Sequence, residues 1–183
     1  MFVVKGVDAA MCNSVRPADE IERVVKKYSN MLFRICLVML CREQDAEDAL
    51  QDTFLKYISK APAFNDAEHQ KAWLIRVATN ICNDMGRFRL RHNHVNINDL
   101  SDYYETEESA DILEAVLLLP QKYKIVIHLH YVEGYDMGSI SEITGISIAA
   151  TKKRLQRGRE MLKLEYRKGR FLNERKSIEK STC

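Results

Sequence analysis

The apolar residues of this chain recur with a period near 3.6 over most of its length, which makes the α-helix its building unit. Ile21, Val24, Val25, Tyr28, Met31, Leu32 and Ile35 keep the i, i+3, i+4, i+7 spacing that places them on one face of a helix over 19–40. Ala46, Ala49, Leu50, Thr53, Phe54, Tyr57 and Ile58 do the same over 45–59. Asp45 is the expected N-cap there, and acids in a first turn suit the helix dipole. Residues 62–66 read as a loop. Leu74, Val77, Ala78 and Ile81 stripe a third helix over 67–86, with Trp73 on the same stripe and so directed at the core. Three helices with short connections bury a common core. Seven glycines and three prolines in 183 residues leave few breaks in this pattern.

Residues 87–109 have no sustained period and are rich in Asn, Asp, Ser and Glu. A structureless stretch of about twenty residues is unusual inside one compact domain, so a domain boundary is expected there. Helical pattern resumes over 110–119. Pro120 then opens a helix through 132, with Tyr123, Val126, Ile127 and either His130 or Tyr131 inward. The sharpest local signal follows. Asp136 can cap a short helix containing Ile140 and Ile143, Gly145 can end it, and Ser147 can cap the next, from 148 to about 168. Two helices joined by a three-residue turn with a glycine form a helix-turn-helix. The fold expected is all-α: an N-terminal extension (1–18, expected to be disordered), a three- to four-helix bundle (19–90), a flexible acidic linker (91–109), a helix-turn-helix domain (110–170) and a basic C-terminal tail (171–183).

The net charge of +2 hides strong segregation. Residues 43–52 hold five acids and no base, and 99–119 hold seven acids and no base. Residues 71–98 hold five bases and one acid, and 148–183 hold twelve bases against four acids. Exposed charges are screened over about 8 Å at physiological salt, so local blocks govern what each surface attracts. The second helix of the helix-turn-helix carries Lys152, Lys153, Arg154, Gln156, Arg157 and Arg159, cations and an amide suited to a major groove. A solvated basic helix without a nucleic-acid role is the alternative.

Five cysteines (Cys12, Cys36, Cys41, Cys82, Cys183) with no C-x-x-C spacing fit reduced thiols in a cytoplasmic protein better than a disulfide frame or zinc site. No run approaches the roughly 18 uncharged apolar residues of a membrane span, and 1–15 does not read as a signal peptide. Met11 is an alternative start to Met1. His92 and His94 fall in the linker, and His128 and His130 are two apart on a helix and point to different faces, so no metal site is expected. No phosphate-binding loop, nucleophile elbow or H-E-x-x-H motif occurs, and neither an enzymatic activity nor a cofactor is expected.

Three blocks resemble the sigma-70 family of bacterial transcription initiation factors. DAEDALQDTF at 45–54 resembles region 2.2. WLIRVATN at 73–80, with Asp84 and Arg87, resembles regions 2.3 and 2.4. Leu118, Leu119 and Pro120, the YVEG run at 131–134 and the helix-turn-helix at 140–159 resemble region 4. No stretch remains for regions 1.1 or 3, an economy that resembles the extracytoplasmic-function (ECF) group. The resemblance implies a factor that binds core RNA polymerase, through the β′ clamp coiled coil and the β flap, directs it to promoter DNA and promotes opening. It further implies an anti-sigma factor as a regulator that occludes both domains.

By that resemblance, Asp45, Glu47, Asp48, Gln51 and Asp52 dock on the polymerase. Acids at i, i+3 and i+4 repel one another, and a basic partner relieves this. Arg76, Asn80, Arg87, Phe88 and Arg89 are expected at the minus-10 element, where a flipped base needs stacking and hydrogen bonds in return for its unpairing. Arg91 is a further phosphate candidate. Ile75 stands where many relatives carry an aromatic, which shifts the stacking to Phe88. Ser147, Thr151, Lys152, Lys153, Arg154, Gln156 and Arg157 are expected at the minus-35 element. The acidic run 99–114 is expected to thread a basic polymerase channel, and 167–180 is either a solvated helix end or a further contact. Two rival readings remain. A helix-turn-helix regulator that is not a polymerase subunit leaves 45–54 and 73–87 unexplained. An adaptor without DNA leaves the basic segment unexplained.

Overall fold

The computed structural model describes residues 16–88 and 107–181. Seven helices account for its regular structure: α1 (Ala18–Leu40), α2 (Glu43–Lys60), α3 (Ala67–Phe88), α4 (Glu107–Leu117), α5 (Gln121–Tyr131), α6 (Met137–Thr144) and α7 (Ile148–Ser181). The described residues contain no strand. The expected extension 1–18 is described only from residue 16, and the expected linker lies mostly outside the described residues.

Helices α1, α2 and α3 pack against each other. Leu32, Ile35, Ala46, Ala49, Tyr57 and Leu74 are fully buried between them. The start of α1 is tied down by Arg16. It pairs with Glu20 at 2.5 Å, donates to the Ala61 and Pro62 carbonyls at 3.2 and 2.6 Å, and lies 4.7 Å over the Tyr57 ring. The Tyr57 hydroxyl donates to Glu20 at 2.8 Å; burial first, then this bond, pushes its pKa up to about 12. Trp73 packs edge-on against Tyr57 and Phe64 at the rim of this core, the inward placement expected of it.

The start of α2 corrects one expectation. The helix begins at Glu43 with Arg42 at the N-cap and no side-chain cap. Asp45 lies inside the first turn, and its carboxylate is 3.8 Å from the Arg42 guanidinium. The αL residue Cys41 turns the chain so tightly after α1 that the helix starts two residues early. The other end signals behave as expected. Asp136 accepts from the Gly138 and Ser139 amides at 2.6 and 3.0 Å, and Gly145 adopts φ +69 at the end of α6, where a glycine carries no Cβ penalty. Ser147 accepts from the Ala150 amide at 3.2 Å. Helix α7 continues well past the expected 168, to Ser181.

The second half packs against the first. Helix α5 contacts both α1 and α7, and one apolar core runs from Val24 to Leu155. Tyr123 through Leu129 are all buried, including Lys124 and His128. Burial on all sides encloses the apolar run Ile125, Val126, Ile127. The inward choice left between His130 and Tyr131 resolves against the tyrosine: Tyr131 is exposed, and the His130 ring is 3.0 Å from the Tyr135 carbonyl.

Polar contacts fasten the seam. Gln121 donates to the Cys82 carbonyl at 3.0 Å, and Lys124 donates to the Cys41 sulfur at 2.7 Å. Lys71 on α3 pairs with Glu133 at 3.3 Å and sits 5.1 Å from the Tyr135 ring centroid. His128 Nε2 is 3.7 Å from the same carboxylate, an ion-pair distance too long for a hydrogen bond. The His128 ring, and then Lys71, hold the Glu133 carboxyl below its ordinary value of 4.5 against the opposing effect of burial. A depressed carboxylate contributes stability that is full above pH 4.5 and is lost as pH falls through its folded value. Glu133→Gln is therefore expected to lower stability to denaturant at pH 7 and to narrow its gap from the wild type as pH drops below 4.5. Urea titrations of both chains from pH 7 to pH 3 test this, and a gap that stays constant with pH contradicts it.

Candidate polymerase and nucleic-acid interfaces

Three exposed faces carry the residues singled out in the sequence. On α2, Glu47, Asp48, Gln51 and Asp52 are exposed, whereas Asp45 is only 4% exposed and turns inward. The acidic face thus starts at Glu47. Leu55 extends it by one turn and is 58% exposed, a large apolar side chain left bare among acids. Periodicity alone missed it, because Leu55 lies off the apolar stripe. That mismatch was the available signal: an apolar residue on the polar side of an amphipathic helix.

On α3, Arg76 and Asn80 are exposed one turn apart and share a face, while Leu74, Ile75, Ala78 and Thr79 are buried. Ile75 is fully buried, so its place in the core accounts for an aliphatic side chain where DNA stacking would call for an aromatic. The helix runs through Arg87 and Phe88, whose side chains lie outside the described residues, as does all of Arg89. Arg91, His92, His94 and the acidic run up to residue 106 lie outside them too.

On α7, Lys152, Lys153, Gln156, Arg157 and Arg159 are exposed, and Arg154 is half-buried. Ser147 is exposed at the helix start. Thr151 is fully buried, and its hydroxyl donates to the Ser147 carbonyl at 3.1 Å. It therefore supports the turn and is not placed to meet a base. Gln156 donates to Glu160 at 3.1 Å, so its amide is held in position along the exposed face. The backbone amides of Ser139 and then Gly138 hold the Asp136 carboxyl below its ordinary range, which keeps the cap charged at neutral pH.

What fixes α7 in space is its contact with α5. A Cβ built on Gly158 would lie 3.0 Å from Ile127 Cγ1 and 3.5 Å from Tyr123 Cβ, so only a glycine admits this close approach without displacing Ile127. Leu155 is buried on the same side. The recognition helix is thus seated on the enclosed α5. No group of three or more His, Cys, Asp or Glu among the described residues could hold a metal ion. No helix among them is long and apolar enough to cross a membrane.

Two all-helical units, one with an acidic and a basic exposed helix face and one with a helix-turn-helix, define a DNA-binding transcription protein. Family models match both: sigma-70 region 2 over residues 24–92 and sigma-70 region 4 over residues 109–162. The chain is 28% identical over 168 residues to the ECF RNA polymerase sigma factor SigW of Bacillus subtilis, covering 81% of this chain and 90% of that one. It is 30% identical over 130 residues to the RNA polymerase sigma factor CarQ of Myxococcus xanthus, covering 64% and 72%. The sigma factor RpoE of Bartonella quintana, solved with the anti-sigma factor NepR, matches with TM-score 0.66 at 22% identity, over 82% of this chain and 98% of that one. CnrH, solved with the cytosolic domain of CnrY, matches with TM-score 0.60 at 22% identity, over 81% and 88%. These two structures establish the fold. The chain belongs to the sigma-70 family, in its ECF group.

The Gly158 contact gives a direct check of how α7 is held. Gly158→Val is expected to overpack the α5–α7 seam and to destabilise the chain by about 1–3 kcal/mol. Ile127→Ala in the same chain should relieve part of that, with a favourable coupling on the order of 1 kcal/mol in a double-mutant cycle of thermal or urea unfolding. Strict additivity would place the two residues out of contact.

Proposed function

We propose that the chain delivers core RNA polymerase to its promoters by dividing the work among these three faces. The observation that carries the reading is the presence, in one small chain, of an exposed acid-and-leucine face, an exposed Arg/Asn face and an exposed basic recognition helix. The face of α2 formed by Glu47, Asp48, Gln51, Asp52 and Leu55 docks on a basic, partly apolar surface of the polymerase, the β′ clamp coiled coil in this family. Asp45 acts from behind it by fixing the first turn with Arg42. Arg76 and Asn80, with Arg87, Phe88 and Arg89 beyond them, meet the minus-10 element. Arginine neutralises phosphate, Asn80 offers both a donor and an acceptor to an unpaired base, and Phe88 offers a stacking surface.

On α7, Lys152, Lys153 and Gln156 read base edges of the minus-35 element, while Arg154 and Arg157 meet phosphates. Ser147 presents the amide end of the helix to a backbone phosphate, and Thr151 braces that turn. The β flap holds this half on the polymerase, and the acidic run 99–114 follows a basic polymerase channel. The chain makes no covalent chemistry; the polymerase supplies it. It works in the cytoplasm, where the promoters and a reducing environment are. The sigma–anti-sigma pairs among its structural neighbours support regulation by an anti-sigma factor that covers these faces.

Transcription by purified core polymerase on a promoter library, with and without the chain, tests the reading. Initiation at specific start sites that requires the chain is the expected outcome. DNA binding without any effect on initiation would instead favour a helix-turn-helix regulator. Asp48→Arg and Asp52→Arg are expected to abolish co-purification with β′ while sparing DNA binding by the isolated chain. Gln156→Ala should cost about 1–3 kcal/mol at one minus-35 position and relax specificity there. Arg157→Ala should weaken binding across sequences and reduce the salt slope by about one.

A further inference from the structure

The seam between the two halves contains a pair of reactive groups that neither DNA nor polymerase binding uses. Cys41 ends α1 in the left-handed region, with φ 60 and ψ 23. It is the one non-glycine residue with positive φ among the described residues, at a helix end where glycine is the usual occupant. That turn aims its thiol at α5. Lys124 Nζ lies 2.7 Å from Cys41 Sγ. Cys41 is 6% exposed and Lys124 4%. The other neighbours hydrogen-bonded to the sulfur are the Val38 and Leu117 carbonyls, at 3.7 and 3.8 Å, which do not react with it.

A buried amine ordinarily faces a carboxylate. Here its one hydrogen-bond partner among the described residues is a thiol, a weak acceptor. An apolar side chain of similar length would fill the same space without burying an amine. The arrangement is poor as a structural device and well formed as a chemical one. Sulfenic acids condense with a backbone nitrogen to sulfenamides, an amine nitrogen offers the same lone pair, and the Lys124 nitrogen lies at hydrogen-bond distance from the sulfur.

We propose that Cys41 and Lys124 form a peroxide-driven covalent clamp, a sulfenamide that locks the two halves of the chain in the packed arrangement. Its effect on transcription rests on the sigma-factor reading; the cross-link itself does not. The oxidant is hydrogen peroxide or an alkyl hydroperoxide, which reaches Cys41 when the halves part. The sulfur attacks one peroxide oxygen, an S–O bond forms, the O–O bond breaks, and the departing oxygen leaves as water (or an alcohol) with the thiol proton. On closing, the Lys124 nitrogen, having released its ammonium proton to water, attacks the sulfenic sulfur. An N–S bond forms, the S–O bond breaks, and the hydroxyl leaves as water with a proton from nitrogen. Thiol, amine and hydrogen peroxide thus become sulfenamide and two waters, with sulfur giving two electrons to the peroxide. An external thiol reverses the bond by attacking sulfur and releasing the amine.

The clamp silences the chain for a geometric reason. Elements named minus-10 and minus-35 lie about 25 base pairs apart, about 85 Å of B-form DNA at 3.4 Å per pair. The longest helix of the N-terminal half, α1, has 23 residues. At about 1.5 Å per residue it spans only about 35 Å. Halves held together at Cys41 and Lys124 cannot move apart toward that separation. The neighbouring thiols do not substitute. Cys36 and Cys82 are fully buried inside the first half, and the Cys36 thiol and then burial push the Cys82 thiol far up, which keeps it protonated and unreactive.

The full chain, treated with hydrogen peroxide and digested without reductant, is expected to yield a peptide pair joined through Cys41 and Lys124, lighter by two hydrogens than its parts. Dithiothreitol should release it. Promoter-dependent transcription with core polymerase should fall at least tenfold in the oxidised chain and return with dithiothreitol. Lys124→Met should leave Cys41 oxidisable with no cross-link, and Cys41→Ser should be indifferent to peroxide; unfolding curves confirm that each variant folds. Cys41 stopping at sulfinic acid without the cross-link, or a Cys36–Cys82 disulfide as the sole product, overturns the proposal. A cross-link that leaves transcription unchanged overturns its role as a switch. Failure of the reduced chain to support initiation sinks the sigma-factor reading and leaves the mass result standing.

Discussion

The enclosure of α5 is the constraint on which the rest of the structure depends. Its residues from Tyr123 to Leu129 are buried between α1 on one side and α7 on the other. Each fully buried aliphatic side chain there contributes about 1.5–3 kcal/mol of transfer free energy. The recognition helix takes its position from this contact, through Leu155 and the close approach at Gly158. The first half takes its contact with the second from the opposite face of the same helix. One eleven-residue element therefore sets both the position of α7 and its distance from α2.

Electrostatics explains why the halves tolerate such intimacy. Exposed ion pairs contribute little, typically under about 1 kcal/mol each, because water and salt screen them. The seam instead uses pairs that are largely withdrawn from water, Glu133 with Lys71 and His128, and Gln121 with the Cys82 carbonyl. The outward faces keep like charges together: acids along α2, bases along α7. Clustered like charge destabilises a helix by a few tenths of a kcal/mol per pair, so the segregation serves partners of opposite charge and not the fold. The near-neutral total follows from opposite blocks on separate faces, which the short screening length keeps electrostatically independent.

The periodic segments and their punctuation were legible in the sequence. Asp136, Gly145 and Ser147 perform the capping roles their residue types and spacing imply, because caps are local chemistry. The inward turn of Trp73 followed from its stripe. Asp45 misled for the same local reason. Asp before an apolar stripe is a good cap, but the αL residue Cys41 resets the chain so that the helix begins earlier. Thr151 was expected at the minus-35 element from family position, whereas its side chain is fully buried and bonds the Ser147 carbonyl. The tertiary seam was not legible. Nothing in the spacing of Lys71, Cys41, Lys124 and Glu133 announces contact, since side chains so far apart along the chain meet only through the shared core. Its one trace was the short apolar run Ile125, Val126, Ile127 in α5.

The packed arrangement also sets a thermodynamic condition on function. If reading both promoter elements requires the halves to separate, binding must supply the free energy of opening. Moving a closed-to-open ratio from 99:1 to 1:99 takes about 5.5 kcal/mol of differential affinity. A complex with a nanomolar dissociation constant releases about 12 kcal/mol, enough to meet this and still bind tightly. DNA alone, at the roughly 10⁻⁴–10⁻⁶ M typical of non-specific contacts, leaves little margin once opening is deducted. Under that condition the seam would disfavour binding of the free chain to DNA in general and would yield once the acidic face of α2 and the basic face of α7 are both engaged.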